Sequence, residues 1–289
     1  MKIGIIGMGH PFESQYNALN KLGYEIVLCD IDKRKMDGYE EEKYVDYKDL
    51  LHKVDIVLIS TPPESHFSIA KYFLERDVKV ICEKPLVTKM EDLEKLNNLV
   101  HNNFYNILHF RYGEEVEWFL KHNSFGKPSR IEVFIHDPYM ENGFIKPEAS
   151  SLCGAYLDET INPLSAIKRL YDGKITFLDI QKKYSKDDID FMADSRFLVG
   201  DIEVSVHVSW NDSNNREKYM NLIFEDRVIQ LDSFHVRVFD VTQEKVLFES
   251  SNKRMFMHYY NGFQNINFQQ EEWKKAYFLN KAILEGLSE

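Results

Sequence analysis

The first part of the chain alternates short apolar runs with longer amphipathic segments. Five runs are apolar on both faces, as is typical of buried parallel strands, and they cover residues 2–6, 25–29, 55–59, 79–82 and 106–109. Three segments between them carry hydrophobic residues at helical spacing, at 13–22, 64–75 and 90–101. Because strands that alternate with helices build a parallel sheet covered by helices, the pattern predicts a doubly wound α/β domain.

After Pro128 the pattern changes to β-branched and aromatic runs separated by polar turn residues. These runs cover residues 130–136, 174–180, 196–199, 203–210, 220–224, 228–231, 236–241 and 245–248. Helices are predicted at 158–170 and at about 270–287, and the stretch 137–151 reads as a loop long enough to act as a lid. The pattern predicts an α+β domain with a large, mainly antiparallel, open-faced sheet.

Length and charge limit the classes of protein to consider. A chain of 289 residues suggests two domains, which we place at 1–118 and 119–289. A net charge of -11 argues against nucleic acid as a partner, and no apolar stretch approaches the roughly 20 residues that cross a bilayer. The three cysteines show no metal-like spacing, and a strand begins within two residues of the start, so we expect a cytoplasmic protein without a structural metal.

A glycine turn ends the first predicted strand and leads into a helix. In the pattern G-x-G-x-x-G, one glycine makes the turn and the next lets main-chain amides approach a pyrophosphate, and Gly7 and Gly9 fit these positions. His10 and Pro11 complete the turn and are expected to bind the cofactor with it. The third glycine is replaced by Phe12, whose ring must push the helix away from the strand or point into the cofactor groove.

Asp30 ends the second predicted strand, about twenty residues after the glycine turn. A carboxylate at this place accepts hydrogen bonds from the adenosine ribose and repels a 2′-phosphate, which favours NAD over NADP. Arg34 nearby keeps NADP as the minor alternative. Asp30 is otherwise an ordinary turn residue before Asp32. These features predict a Rossmann domain that holds a dinucleotide.

Five motifs occur in an order that resembles the Gfo/Idh/MocA family of sugar and inositol dehydrogenases. They are Gly7-Met8-Gly9, Ser60-Thr61-Pro62-Pro63-Glu64-Ser65-His66, Glu83-Lys84-Pro85, Phe110-Arg111-Tyr112 and Phe125-Gly126-Lys127-Pro128. The resemblance extends over the later β-rich half, including Ser209-Trp210. It implies a Rossmann domain, a second sheet domain and a nicotinamide cofactor.

The resemblance also implies roles for residues at the carboxyl edge of the first sheet. Thr61, Pro62 and His66 are expected along the cofactor, with a rigid helix start as the alternative. Glu83 and Lys84 follow the fifth strand, and the lysine is expected to approach both the nicotinamide and the reacting hydroxyl. A cation at this place can polarise a C–O bond. The alternative is an exposed lysine that ends a strand.

The family pattern places an Asp and, four residues later, a His on the first helix of the second domain. Asp158 matches the first position, whereas Asn162 stands where the histidine is expected. Residues i and i+4 share a helix face, so the geometry can persist, but an amide cannot exchange a proton near neutral pH. Asp158 is alternatively a first-turn helix acid, and Asn162 before Pro163 is alternatively a local helix irregularity.

Four further residues are candidates for substrate binding. Arg111 either pairs with a substrate or ties the two domains together, and Tyr112 follows it. His136 is expected to line the pocket or to be a structural histidine. Candidate proton carriers in place of the missing histidine are Lys84, Tyr156, His136 and His109.

The main functional hypothesis is an NAD-dependent oxidoreductase that moves a hydride between nicotinamide and a secondary alcohol or ketone of a sugar, cyclitol or sugar derivative. Its partner is a small polyol or sugar, and the wide sheet suggests a homodimer or homotetramer. The alternative is an NAD-binding sensor or scaffold protein on the same fold, with catalysis impaired by Asn162.

Overall fold

The chain folds into two compact units, each made of two separate segments. The structure is a computed structural model that describes residues 1–211, 215–252 and 254–287. The first unit comprises Met1–Leu108 and Tyr259–Lys281, and the second comprises His109–His258 and Ala282–Glu289. The predicted division after residue 118 cuts the chain once, whereas in the structure the last helix begins in the first unit and ends in the second.

The first unit contains a six-stranded parallel sheet. Its strands are β1 (Lys2–Ile6), β2 (Glu25–Cys29), β3 (Glu42–Tyr44), β4 (Ile56–Ile59), β5 (Lys79–Cys82) and β6 (Phe104–Asn106). Its helices are α1 (Phe12–Lys21), α2 (Pro63–Leu74) and α3 (Met90–Asn97), with short 3₁₀ turns at Lys33–Met36 and Tyr47–Leu50. The strand order β3-β2-β1-β4-β5-β6 is that of a doubly wound dinucleotide-binding sheet, which confirms the predicted fold.

The strand order determines where a ligand can bind. The order in which the strands are added to the sheet reverses between β1 and β4. These two strands pair in parallel, with Ile6 opposite Ile59. In open α/β sheets, ligands bind beyond the carboxyl ends of the strands at this reversal. Gly7, Asp30 and Ser60 directly follow β1, β2 and β4, so the predicted motifs lie at that edge.

The second unit is built on an eight-stranded sheet. Its strands are β7 (Arg130–Asp137), β10 (Ile175–Tyr184), β11 (Asp190–Val199), β12 (Ile202–Trp210), β13 (Glu217–Ile223), β14 (Val228–Asp232), β15 (Arg237–Asp240) and β16 (Lys245–Glu249). The order is β10-β11-β12-β7-β13-β14-β15-β16, antiparallel except between β12 and β7. The other elements are α4 (Glu114–His122), α5 (Ala155–Leu170), the short strands β8 (Met140–Glu141) and β9 (Phe144–Ile145), and a 3₁₀ turn at His109–Tyr112. Helices α6 (Arg254–Gln264) and α7 (Gln270–Glu285) each pass from one unit to the other.

The two faces of this sheet are unequal. Along β7, residues 131, 133, 135 and 137 are buried, whereas 132, 134 and 136 are half-buried. Helix α5 packs against β11 and β12 and covers the first face. The mainly antiparallel sheet with one open face agrees with the sequence prediction. Among the described residues, no helix is both long enough and apolar enough to cross a membrane.

Three sequence predictions about the elements were wrong. The strand predicted at 106–109 ends at Asn106, because its neighbour β5 ends at Cys82, opposite Asn106, and the chain then enters a 3₁₀ turn. The predicted loop 137–151 contains the β8–β9 hairpin. Helices α4 and α6 were not predicted, although Val116 and Phe119 are buried at helical spacing in α4.

Candidate cofactor and substrate sites

The turn after β1 has the geometry of a phosphate-binding loop. Gly7 has a φ of +92°, and a Cβ there would lie 2.6 Å from the carbonyl oxygen of Ser60, so the fold itself requires glycine. At Gly9, a Cβ would lie no closer than 3.7 Å to that oxygen. The protein therefore has room for a side chain at Gly9, and its absence leaves the main chain open to a ligand.

The N-terminus of α1 offers amide donors to the same place. Pro11 is its N-cap residue and supplies no side-chain hydrogen bond to the first turn, and the amide of Phe12 donates to the carbonyl of Gly9 at 3.1 Å, so the donors for an anion are the amides that follow Phe12. Uncapped amides at a helix N-terminus attract anions through their N–H groups and the helix dipole. His10 lies exposed in the turn. The residues at this edge thus fit a pyrophosphate.

Phe12 packs beside two other aromatic side chains. Its side chain is buried, stacks on Tyr16 with ring centroids 5.5 Å apart, and meets the edge of Tyr39 at 5.4 Å. The ring therefore packs into an aromatic cluster on one side of α1. Such pairs add about 0.5–1.5 kcal/mol beyond the burial of apolar area. A direct contact of Phe12 with the cofactor stays a prediction.

Asp30 is held rigidly by the backbone around it. Its Oδ2 accepts a 2.8 Å hydrogen bond from the amide of Met8, and its Oδ1 accepts one of 2.9 Å from the amide of Asp32. The carboxylate is 6% exposed and lies 3.4 Å from the ammonium of Lys35. The Met8 bond ties the end of β2 to the glycine turn, so Asp30 also has a structural role.

Arg34 is engaged by its own neighbour. Its guanidinium donates two hydrogen bonds, of 2.9 and 2.8 Å, to the carboxylate of Asp32. These bonds lower the pKa of Asp32 to about 2, which keeps that carboxylate charged. A guanidinium occupied in this way is less available to a 2′-phosphate.

The segment after β4 is bound to the loop after β5 by His66. Its imidazole is 1% exposed, and its ring nitrogens lie 2.9 Å from the carbonyl oxygen of Pro85 and 2.8 Å from that of Thr61. Burial lowers the pKa of His66. The ring thus lies below the surface and positions two loops, while Thr61 is half-buried and Pro62 is exposed.

Glu83 anchors the loop that carries Lys84. Its Oε1 accepts hydrogen bonds of 2.6 Å from both Gln15 and Tyr259, and its Oε2 accepts one of 3.0 Å from the amide of Lys84. Burial raises the pKa of Glu83, while the Lys84 charge acts in the opposite direction. The Lys84–Pro85 peptide bond is cis. Lys84 itself is half-buried at the carboxyl edge of the sheet.

Sequence reasoning missed the amide residues that support this loop. Asn280 on α7 accepts a 3.3 Å hydrogen bond from the amide of Leu86 and donates one of 3.1 Å to Asn106. Asn106 in turn donates to the carbonyl of Cys82 at 3.1 Å. The available signal was the polar Asn280 on the apolar face of the terminal helix. However, Leu86 and Asn106 lie 174 or more positions away from it in the sequence.

In the second unit, the helix α5 carries both predicted substrate residues on one face. Asp158 and Asn162 are 4% and 2% exposed. The helix begins after Gly154, where φ is +90° and a Cβ would collide with the carboxylate of Asp190. That carboxylate accepts a 2.8 Å hydrogen bond from the amide of Tyr156, so β11 supplies the N-terminal cap.

Two other candidates lie buried in the interior of the second unit, and a third is half-buried. Tyr156 has no exposed surface, and its hydroxyl donates a 3.0 Å hydrogen bond to the carbonyl of Ile283. Tyr112 is buried with the guanidinium of Arg169 4.8 Å from its ring centroid. Arg169 also donates to the main-chain carbonyl of Arg111, which is half-buried. Roles of Tyr156, Tyr112 and Arg111 in substrate binding stay predictions.

His136 lies apart from Asp158 and Asn162. Successive residues of a strand point to opposite faces, and His136 is on the open face while Asp137 faces α5. Its ring is 5.2 Å from that of His207 and its Nδ1 is 3.8 Å from Glu217. Burial, followed by the charge of His207, lowers its pKa. The sheet thus separates His136 from the face where α5 presents its polar residues.

A buried charged cluster that sequence reasoning missed lies beside α5. Lys218 forms a close ion pair with Asp137 and lies 3.4 Å from Glu159, and the three residues are 9%, 1% and 3% exposed. Burial raises the pKa of Asp137 to about 7; Lys218 opposes this shift and Glu159 adds to it. The sequence signal for this cluster was the alternating pattern of β13, which places Lys218 at an inward position. Among the described residues, no group of His, Cys, Asp and Glu is arranged to hold a metal ion.

Asp137 should give the stability of the protein a measurable dependence on pH. Because the folded pKa lies above the ordinary value of 3.8, its stabilising effect is complete below pH 4 and is lost as the pH rises through about 7. In the variant Asp137→Asn the side chain no longer titrates, so this pH-dependent loss of stability disappears. The unfolding free energy of the variant relative to wild type should therefore rise by about 2–4 kcal/mol between pH 4 and 7.5 in urea titrations. An equal difference at both pH values would contradict it.

Known proteins match part of the chain by sequence. Residues 1–104 match the Gfo/Idh/MocA model, described as an oxidoreductase family with an NAD-binding Rossmann fold. Inositol 2-dehydrogenase of Salmonella typhimurium is 32% identical over 107 residues, which are 33% of this chain and 32% of that protein. UDP-N-acetylglucosamine 3-dehydrogenase of Acidithiobacillus ferrooxidans is 26% identical over 141 residues, 46% and 44% of the two chains. The matched segments thus span less than half of these relatives.

Solved structures match the whole chain in fold. The Acidithiobacillus ferrooxidans enzyme has a TM-score of 0.78 at 16% identity, covering 99% of this chain and 96% of that one. A point mutant of the 3-ketoreductase KijD10 of Actinomadura kijaniata, in complex with TDP-benzene and NADP, has a TM-score of 0.81 at 16% identity, with 99% and 96% covered. At such identities the likeness shows the fold.

Proposed function

Because residues 1–104 match the Gfo/Idh/MocA model of oxidoreductases with an NAD-binding Rossmann fold, we propose that this chain is a member of that family and an NAD-dependent dehydrogenase or reductase. Its substrate is a secondary alcohol or ketone of a sugar, cyclitol or sugar derivative. The observation that carries the proposal is the open main chain at Gly9 beside the uncapped start of α1. An anion of the size of a pyrophosphate fits there.

The dinucleotide is held by residues at the carboxyl edge of the first sheet. Gly7 shapes the turn, Gly9 and the first amides of α1 bind the pyrophosphate, and Asp30 accepts hydrogen bonds from the ribose hydroxyls. Asp30 Oδ1 accepts one backbone bond and keeps a further lone pair for a ribose hydroxyl, whereas Oδ2 accepts from the amide of Met8 and, at 3.4 Å, from the ammonium of Lys35. The bound nicotinamide supplies the hydride chemistry.

Lys84 and Asp158 organise the reacting group of the substrate. The ammonium of Lys84 donates a hydrogen bond to the C–O oxygen, which stabilises negative charge as it develops on that oxygen. Glu83 fixes the main chain beneath Lys84 and so limits the positions that the ammonium can take. Asp158 accepts a hydrogen bond from a substrate hydroxyl.

The substrate class follows from two relatives. By name, one acts on inositol and the other on UDP-N-acetylglucosamine, so a ring with secondary hydroxyls is common to both. We also propose that the protein is cytoplasmic and that the open face of the second sheet supports a homodimer or homotetramer.

Calorimetry with nicotinamide nucleotides tests the proposal first. We expect NADH to bind at least about tenfold more tightly than NADPH, because the rigid Asp30 carboxylate repels a 2′-phosphate. Turnover with NAD⁺ is then measured on myo-inositol and UDP-N-acetylglucosamine by the absorbance of NADH. The proposal fails if neither nucleotide, oxidised or reduced, gives heat on titration.

A sensor or scaffold protein that binds NAD without turnover is the second candidate. Asn162 favours it, since a buried amide can hydrogen-bond but cannot exchange a proton near neutral pH. The variant Asn162→His separates the two candidates. A large gain in dehydrogenase turnover indicates a chain that has lost catalysis, whereas a loss of existing turnover indicates that the asparagine belongs to the mechanism.

A further inference from the structure

The amide of Asn162 is oriented by Glu159, one turn earlier on α5. Asn162 Nδ2 donates a 3.4 Å hydrogen bond to Glu159 Oε2, and the two side chains are 2% and 3% exposed. The main-chain carbonyl of Asn162 accepts a 2.7 Å bond from the hydroxyl of Ser165. Side chain and main chain at this position are therefore bound separately.

Lys218 determines which end of the amide faces Glu159. Its ammonium lies 3.4 Å from Glu159 Oε1 and pairs closely with Asp137, and Arg216 Nε is 3.9 Å from Asp137. The ammonium beside Glu159 Oε1 favours the carboxylate form of Glu159. Because a carboxylate cannot donate, the NH₂ end of Asn162 faces it, in agreement with the 3.4 Å bond from Nδ2 to Oε2.

This orientation leaves the amide oxygen of Asn162 for another donor. Oδ1 is buried and has no hydrogen-bond partner in the part of the chain that the structure describes. Buried acceptors without a partner are uncommon in folded proteins and cost stability. A ligand that donates a hydrogen bond to Oδ1 removes that cost.

We propose that Glu159 and Lys218 are positioning residues that hold Asn162 Oδ1 as the acceptor for a hydroxyl of the substrate. The inference rests on the proposed function and narrows its substrate class. The ring must carry a donor, O–H or N–H, at the position next to Asn162. A carbonyl oxygen there would face a second acceptor, so a deoxy or keto group at that position is rejected.

Exchanging the amide of Asn162 and the carboxylate of Glu159 tests the orientation of the Asn162 side chain without any substrate. Asn162→Asp places two carboxylates together, and Glu159→Gln removes the charged acceptor, so each variant should lower the melting temperature by about 4 °C or more. In the double variant Asn162→Asp/Glu159→Gln, the new amide donates to the new carboxylate and the net charge is unchanged. We expect its melting temperature to return to within about 2 °C of wild type. A double variant no more stable than Asn162→Asp overturns the proposal.

Kinetics on the same variants test the ligand. With NAD⁺ and myo-inositol or UDP-N-acetylglucosamine, Glu159→Gln and Asn162→Leu should raise KM by about 10–100-fold, and the double variant should recover most of the loss. The Kd of NADH, which tests the proposed function, should stay unchanged in all of them. Glu225→Gln, an exposed acid in the same unit, is the matched control. An unchanged KM in Asn162→Leu overturns the inference even where NADH binds normally.

Discussion

Replacing Lys84 by alanine should lower kcat by about 10²–10⁴-fold, the range typical for loss of a positioned proton-donating group. Lys84 follows β5 at the edge where the glycine turn and Asp30 also lie, and its main chain is fixed by the buried Glu83. Removal of the ammonium leaves the developing charge on the substrate oxygen without its donor. The measurement is the steady-state rate of NADH formation with saturating NAD⁺, together with the Kd of NADH.

The role of Lys84 is identified by whether Lys84→Ala lowers kcat or weakens the binding of the cofactor. A group that acts mainly on the transition state changes kcat far more than the Kd of the cofactor. Lys89→Ala is the matched control, because Lys89 is exposed, lies five residues further along and supplies no cap bond to α3. Turnover of Lys84→Ala equal to that of Lys89→Ala would show that the lysine only ends the strand.

Gly7→Ala and Gly9→Ala should have opposite effects on stability and on cofactor binding. At Gly7 the added methyl meets the carbonyl oxygen of Ser60 at 2.6 Å in a backbone conformation with φ of +92°. We expect a loss of about 2–5 kcal/mol in the free energy of unfolding, from strain and overpacking together. At Gly9 the nearest protein atom is 3.7 Å away, and the unfolding free energy should change by less than about 0.5 kcal/mol.

The Gly9 variant should instead weaken the binding of NADH by about 10–100-fold, the equivalent of one or two lost hydrogen bonds to a charged group. The methyl keeps the pyrophosphate away from the main-chain amides. Urea unfolding and calorimetry on both variants provide the two measurements. Gly23→Ala is a less suitable control, because Gly23 also has a positive φ, whereas Asn17→Ala on the exposed face of α1 is suitable. Normal NADH binding by Gly9→Ala would remove the glycine turn from the cofactor site.

Local sequence patterns are most informative for site residues that lie at one edge of a single sheet. Gly7, Asp30 and Lys84 follow strands β1, β2 and β5, and in a parallel sheet all strands end at the same edge. Their convergence therefore follows from strand assignment alone. The two alternatives for His136, a pocket residue or a structural histidine, show the limit of this reasoning. The strand was assigned correctly, but the face that α5 covers was not known, and His136 lies on the other one.

Long-range contacts were beyond the reach of patterns. Glu83 is bound by Tyr259, 176 positions away, and Lys218 reaches Glu159 over 59 positions. The alternation of Lys218 with Met220 and Leu222 in β13 indicates an inward position, but it does not reveal which acids the lysine meets there. Only its ion pairs with Asp137 and Glu159 make its burial tolerable.

The sequence by itself determined the two kinds of sheet, the glycine turn and the residues at the strand ends, because hydrophobic period and turn chemistry are local properties. The tertiary structure alone decided which side chains became buried supports, such as His66 and Tyr156, and which atoms kept an open hydrogen-bonding position, such as Asn162 Oδ1. Burial and hydrogen-bond satisfaction depend on residues distant in the chain, and they appear only when the elements pack.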